Sequence, residues 1–249
     1  MKVVLAKIIY KATEIQNKKL LLRKEFLYNS INIDSGEVKK ISEEDLRILF
    51  ELYDKYFFDS YFKDKFKGNI KFSLSKRMNK SAGKTIVPKN ISVLSEEKQS
   101  FEIRIGVNFF FQYYDLKREK IVGGIITSDS LHALLTVFEH ELIHFLEFYT
   151  FGKSSCKGKR FKDIAFNIFG HKDVYHSLPT NSEVLRKDLN ISPGDSVCFS
   201  HDGKSFKGII YRINKRATVM VLNNRGNYVD SKGNRFNKFY VPIQLLSKM

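Results

Sequence analysis

The chain's most constraining feature is the run from Leu131 to Thr150, LHALLTVFEHELIHFLEFYT. It is apolar around most of a helical turn, so a helix made from it has to be covered on most sides by the rest of the chain. Ser128, Asp129 and Ser130 offer good N-caps, and Gly152 is a natural C-terminal stop. Leu134, Leu135, Phe138, Leu142, Phe145 and Leu146 supply the buried surface. One polar face remains, made by His140, Glu141 and His144.

That face reads His140-Glu141-Leu142-Ile143-His144, the HExxH pattern. Histidines four apart project from the same side of a helix, close enough to share one ion. Zinc lowers the pKa of a bound water towards ~7, and the adjacent carboxylate, Glu141, can take the proton as hydroxide attacks a carbonyl. The competing account is a buried histidine pair satisfied by hydrogen bonds alone, which is costly in so apolar a helix. A catalytic zinc commonly has three protein ligands and one open position. The third is sought downstream, where Cys156, His171 and His176 are the candidates. Cys156 follows the helix by a short loop. His171 stands beyond a further helix, FKDIAFNIF, that ends at Gly170, and coordinates only if the chain folds back. His132 and His201 receive no role.

Elsewhere, Ser42 followed by Glu43, Glu44 and Asp45 predicts a capped helix start. Leu46, Leu49, Phe50, Tyr53 and Phe57 continue it at helical spacing to about Phe62. Ile70, Phe72 and Leu74 alternate as in a strand, and Ala82-Gly83-Lys84 suggests a turn back into a second. Phe101, Ile103, Ile105 and Val107 predict a third, running into an aromatic cluster, Phe109 to Tyr114, assigned to the core. The expected class is α+β: helices packed on a small sheet around an HExxH active-site helix, in a zincin-like arrangement. From about Ile191 short β-rich runs alternate with Gly, Asn and Asp turns, which predicts a small all-β barrel-like module of about five strands. The expected domains are an N-terminal appendage, 1–40, read as a hairpin; a catalytic domain, 41–180; and the β module, 190–249, with the linker near Thr180-Asn181-Ser182.

Composition narrows the setting. Two cysteines, Cys156 and Cys198, form no CxxC unit, so neither a disulfide framework nor an all-cysteine zinc site is available. Lys7 and Lys11 break the first apolar run before signal-peptide length, and no stretch reaches the ~18–20 apolar residues of a membrane span. A soluble, cytoplasmic protein without a membrane partner is expected, nucleoid-associated if bacterial.

Residues 42–170 resemble the SprT-like metallopeptidase domain, the family that includes the Spartan proteases of DNA–protein crosslink repair. The resemblance lies in LRILFELYDKYFFDSYF as the opening helix, FSLSKRMNKSAGKT as strand, basic turn and Ala-Gly hairpin, FEIRIGVNFF as the strand before the active helix, and EHELIH followed by Gly158-Lys159-Arg160-Phe161. It implies Glu141 as catalytic base and His140 and His144 as zinc ligands. The family usually has a histidine directly before that glycine as third ligand; here the position is Lys157, with Cys156 one residue earlier. The resemblance leaves the third ligand open. The tail from Pro193 is more loosely similar to KOW- or SH3-like barrels, modules that bind nucleic acid or peptides.

Charge points to a partner. Lys and Arg number 43 against 27 Asp and Glu, a net +16. Positive side chains concentrate at 63–90, around Lys153–Lys162, and in the tail at Lys204, Lys207, Arg212, Lys215 and Arg216. Such clusters give sequence-independent, salt-sensitive attraction to phosphates. The expected function is a DNA-associated zinc endopeptidase that cleaves DNA-bound or crosslinked proteins. The alternative is a non-catalytic nucleic-acid-binding protein with a structural or vestigial metal site.

Overall fold

The computed structural model describes residues 2–214 and 216–249; Lys215 lies outside them. The chain divides into two compact units, 1–179 and 180–249. Among the described residues no helix is long and apolar enough to cross a membrane.

The first unit opens with helices α1 (Lys2–Leu5) and α2 (Ala12–Asn29). These helices stand where a hairpin was expected, and Leu5, Leu22, Phe26, Ile33 and Val38 are buried in this unit's core. Ile15, Leu22 and Phe26 are buried, a stripe too thin to announce itself by periodicity. The cations of α2 add to it. Arg23 grips Asp129 through two hydrogen bonds of 3.1 and 3.0 Å, and Lys19 reaches Glu139 at 2.7 Å.

Helix α3 (Glu43–Phe57) begins as its sequence dictates. Ser42 and Asp45 cap each other reciprocally, and the apolar face at Leu46, Leu49, Phe50, Tyr53 and Phe57 is buried. The Asp45 carboxylate also accepts from Ser30 and Asn32, which ties the preceding loop to the helix start. The helix stops at Phe57, short of the expected Phe62. Asp59 and Ser60 turn left-handed, with φ of 49° and 58°, and a short helix α4 (Tyr61–Lys65) follows. Asp54 accepts the backbone N–H groups of Phe62 and Lys63, satisfying donors at the new helix start.

Strands β1 (Asn69–Ser75), β2 (Gly83–Ile86) and β3 (Ser100–Gly106) form one sheet in the order β1-β3-β2. β3 lies parallel to β1 and antiparallel to β2. β2 thus pairs with β3 and not, as the apparent turn suggested, with β1. The central place of β3 fits its residues, since Phe101, Ile103 and Ile105 are all buried. Helix α5 (Asn108–Phe111) sends Phe109 and Phe110 into the core, and Tyr113 follows them. A two-strand hairpin, β4 (Ile121–Val122) and β5 (Ile125–Ile126), precedes the central helix.

That helix, α6 (Ser130–Phe151), is capped by the Asp129 carboxylate on His132 N–H and closed by left-handed Gly152. It packs against α5, β2, β3 and α7 (Lys159–Phe169), which ends at left-handed Gly170. On the side away from the histidines, Phe145 meets the rings of Phe50, Phe62, Phe66 and Phe101 at 4.8–5.6 Å. Each such buried side chain stabilises the fold by roughly 1.5–3 kcal/mol. This packing holds the polar face of α6 in a fixed orientation.

The second unit starts with α8 (Asn181–Asp188), so the segment expected to be a linker is the first turn of a helix. Thr180 and Glu183 form a reciprocal capping box there. Strands β6 (Ser196–His201), β7 (Lys204–Ile213), β8 (Ala217–Leu222), β9 (Tyr228–Val229), β10 (Arg235–Val241) and β11 (Ser247–Lys248) follow. They make an antiparallel sheet in the order β11-β6-β7-β8-β10-β9, with edges at β11 and β9, six strands rather than about five. Val197, Phe199, Ile210, Val219 and Val241 fill its core.

Candidate metal centre

His140 and His144 sit one turn apart on α6, their ring centroids 4.9 Å from each other. Both rings rest on Phe161 of α7, at 4.8 and 4.6 Å, which fixes their tilt. Cys156 arrives from the loop between α6 and α7. The ligating atoms of His140, His144 and Cys156 all lie within 4.8 Å of one another.

A chain of hydrogen bonds sets this geometry. His144 Nδ1 lies 2.7 Å from Ser154 Oγ, and Ser154 Oγ donates to Glu147 Oε2 at 2.6 Å. Because the hydroxyl proton is spent on Glu147, Ser154 accepts from Nδ1–H and leaves the Nε2 lone pair of His144 for an ion. Arg160 Nε donates to the other Glu147 oxygen at 2.6 Å, and Arg160 Nη2 donates to the Lys153 carbonyl at 3.0 Å. The buried Glu147 carboxylate thereby anchors the loop that delivers Cys156. Burial holds both imidazoles well below the ordinary histidine range: His140, also beside His144, to about 3, and His144 to about 4. Neutral rings are what a cation needs.

Glu141 occupies the same face under the edge of the sheet. Thr85 Oγ1 of β2 lies 2.8 Å from its Oε2 and 3.0 Å from its backbone oxygen. Burial pushes the carboxyl up to about 7, against the Thr85 hydrogen bonds, which work the other way. A cation on the neighbouring histidines draws such a group back down. Gly83 explains itself here. A Cβ at this position would stand 2.6 Å from Glu141 Cγ and Oε1, so only glycine lets β2 pass so close.

The four residues line a cleft of about 440 Å³ with Lys80, Lys84, Tyr175 and His176 among its walls. A larger hollow of about 730 Å³, bordered by Glu25, Arg47, Glu51 and Lys55, holds none of them. Chemistry, not size, picks the smaller one.

His171 is not part of the cluster. Its Nε2 lies 2.7 Å from Glu139 Oε2, on the neighbouring helix position that faces away from the metal donors. Glu139 also receives Lys19 and, at 3.0 Å, the Tyr53 hydroxyl. Burial raises its pKa, yet Lys19 and then His171 outweigh this and hold it below the usual carboxylate range. The fold-back of His171 after Gly170 does occur, but it ends on a buried carboxylate. Lys157, at the position where the resemblance has a histidine, is exposed, and Cys156 points inward instead.

The SprT-like family model matches residues 46–182, more than half of the chain. This chain belongs to the SprT-like family. The matched SprT-like segment contains every member of the cluster, and membership is consistent with a zinc-associated, protease-like domain. No curated protein and no solved structure gives a match. Two supports of this SprT-like site escaped the sequence: Thr85 and the Ser154–Glu147–Arg160 chain. Glu147, one turn beyond His144 on an apolar helix, was the signal available for the second.

Proposed function

We propose that this chain is a zinc-dependent endopeptidase that cleaves proteins bound or crosslinked to DNA. The observation that carries the proposal is the joint presence, in one cleft, of His140, His144 and Cys156 as converging donors and Glu141 beside them. Two neutral imidazoles and a thiolate suit zinc and leave one position open. When bound, zinc would supply a Lewis acid and make a water more acidic.

The chain's own groups do the rest. Glu141 takes a proton from the attacking water and returns it to the leaving amine. Thr85 holds the carboxylate in place. The outer edge of β2 is unpaired in its sheet, so an extended peptide can add to it beside Glu141. Lys80 and Lys84 border the same cleft. In the second unit, Tyr211, Tyr228 and Tyr240 are exposed, and Lys238 lies 3.8 Å above the Tyr228 ring. Exposed aromatics among cations suit unpaired bases and phosphates, and the net charge of +16 favours a polyanion. Such a protein would work at the nucleoid or its equivalent.

The test combines zinc content per chain with cleavage of a DNA-crosslinked protein, with and without DNA. About one zinc per chain and DNA-stimulated cleavage, abolished by Glu141→Gln, are expected. Salt-sensitive DNA binding with zinc bound but no cleavage would leave the non-catalytic binding protein as the answer.

A further inference from the structure

Three histidines face the cleft, and only two belong to the donor cluster. The third, His176, lines the same walls. Its segment is clamped on both sides. Ser177 N–H donates to Ile121 O at 2.8 Å, Gly123 N–H donates to Tyr175 O at 2.9 Å, and His176 itself bridges to Val122 in the hairpin. Phe109 presses edge-on against the ring at 5.2 Å. The imidazole is therefore held before any substrate arrives.

Its protonation pattern is also set. Nδ1 accepts the Leu178 backbone N–H at 3.4 Å, so it carries no proton. Burial keeps the ring below the ordinary histidine pKa, hence neutral. The one ring proton then sits on Nε2. No group among the described residues accepts from that N–H, the ring's hydrogen bond being the one at Nδ1, and the residue lines the cleft.

We infer that His176 is a catalytic residue that donates its Nε2–H to the oxygen of the scissile carbonyl as negative charge develops there. The inference rests on the peptidase reading above and adds to it the group that stabilises the oxyanion. A fixed, neutral donor aimed at developing charge needs no reorganisation during the reaction, and it acts most strongly in the transition state. It binds no metal and exchanges no proton with Glu141.

The experiment uses the full chain loaded with zinc and compares wild type, His176→Ala and His176→Gln on casein and on a DNA-bound protein. Zinc content and KM should stay within about twofold of wild type in both variants. kcat should fall about 100-fold or more in His176→Ala. His176→Gln, whose amide can donate, should recover part of that loss. In parallel, ¹⁵N shifts of the ring in the metal-free wild type should report the Nε2–H tautomer.

A kcat for His176→Ala within about threefold of wild type, loss of zinc in either variant, or an Nδ1–H ring would each overturn the inference. A wild type that cleaves while His176→Ala cleaves equally well sinks this inference alone. A zinc-loaded wild type that cleaves neither substrate sinks the peptidase reading and this inference with it.

Discussion

Gly83→Ala is the sharpest probe of how β2 and α6 cooperate. The added methyl would sit 2.6 Å from Glu141 Cγ and Oε1 and 2.9 Å from Cδ, whereas ordinary contact begins at 3.4 Å. Something has to yield by about 0.8 Å. The β2 backbone is bound into the β3 ladder, so the Glu141 side chain gives way and its bond to Thr85 is stretched. A displacement near 1 Å of a catalytic group costs up to about 100-fold in rate. We expect kcat to fall about 10- to 100-fold, some 1.4–2.7 kcal/mol in the barrier. Zinc content should not change, because the three atoms nearest the added methyl all belong to Glu141. The assay is steady-state cleavage with zinc content and melting temperature measured on the same preparation. Activity retained within about threefold, or loss of zinc with the activity, would refute the placement of Glu141 under β2.

Cys156→Ala should strip zinc from the chain at chelator concentrations that wild type survives, with the fold intact. His171→Ala should keep its zinc and instead lose about 1–3 kcal/mol of stability, because Glu139 would be left buried with one partner fewer; the reverse pattern in zinc titration and urea unfolding would reassign the third ligand. Asp129 gives the pH test. Burial raises its pKa, but Arg23 and the His132 N–H hold it below 3.8. A carboxyl depressed in the folded state contributes stability above its unfolded pKa and loses it as pH falls through the folded one. Wild type should therefore lose stability as pH drops below about 4, and Arg23→Met should flatten that slope; equal slopes by urea unfolding would count against the Arg23–Asp129 pair.

Much of the first unit was legible because local chemistry wrote it. Ser42 with Asp45, Asp129 before α6, and the glycines at 152 and 170 all act within a turn of themselves. The period of α3 and of α6 showed directly which faces are buried. Thr180-Asn181-Ser182-Glu183 spells a capping box in plain view, though so polar a run also suits a linker. Helix α2 was harder. Three buried residues out of 18 leave a faint stripe, and its two key cations look like solvent-facing charges until Asp129 and Glu139 are brought beside them.

The sequence by itself determined the central helix, its caps, and the presence on one face of His140, Glu141 and His144, since 3.6-residue periodicity places those groups whatever surrounds them. Only the tertiary structure decided which strand lies between which, because alternation marks a buried face but not its neighbour. It also decided which candidate side chain stands beside His140 and His144. Cys156 and His171 are both plausible in one dimension; in three, the Ser154–Glu147–Arg160 chain draws the first to the histidines while the buried charge of Glu139 captures the second, and a side chain has one place to be.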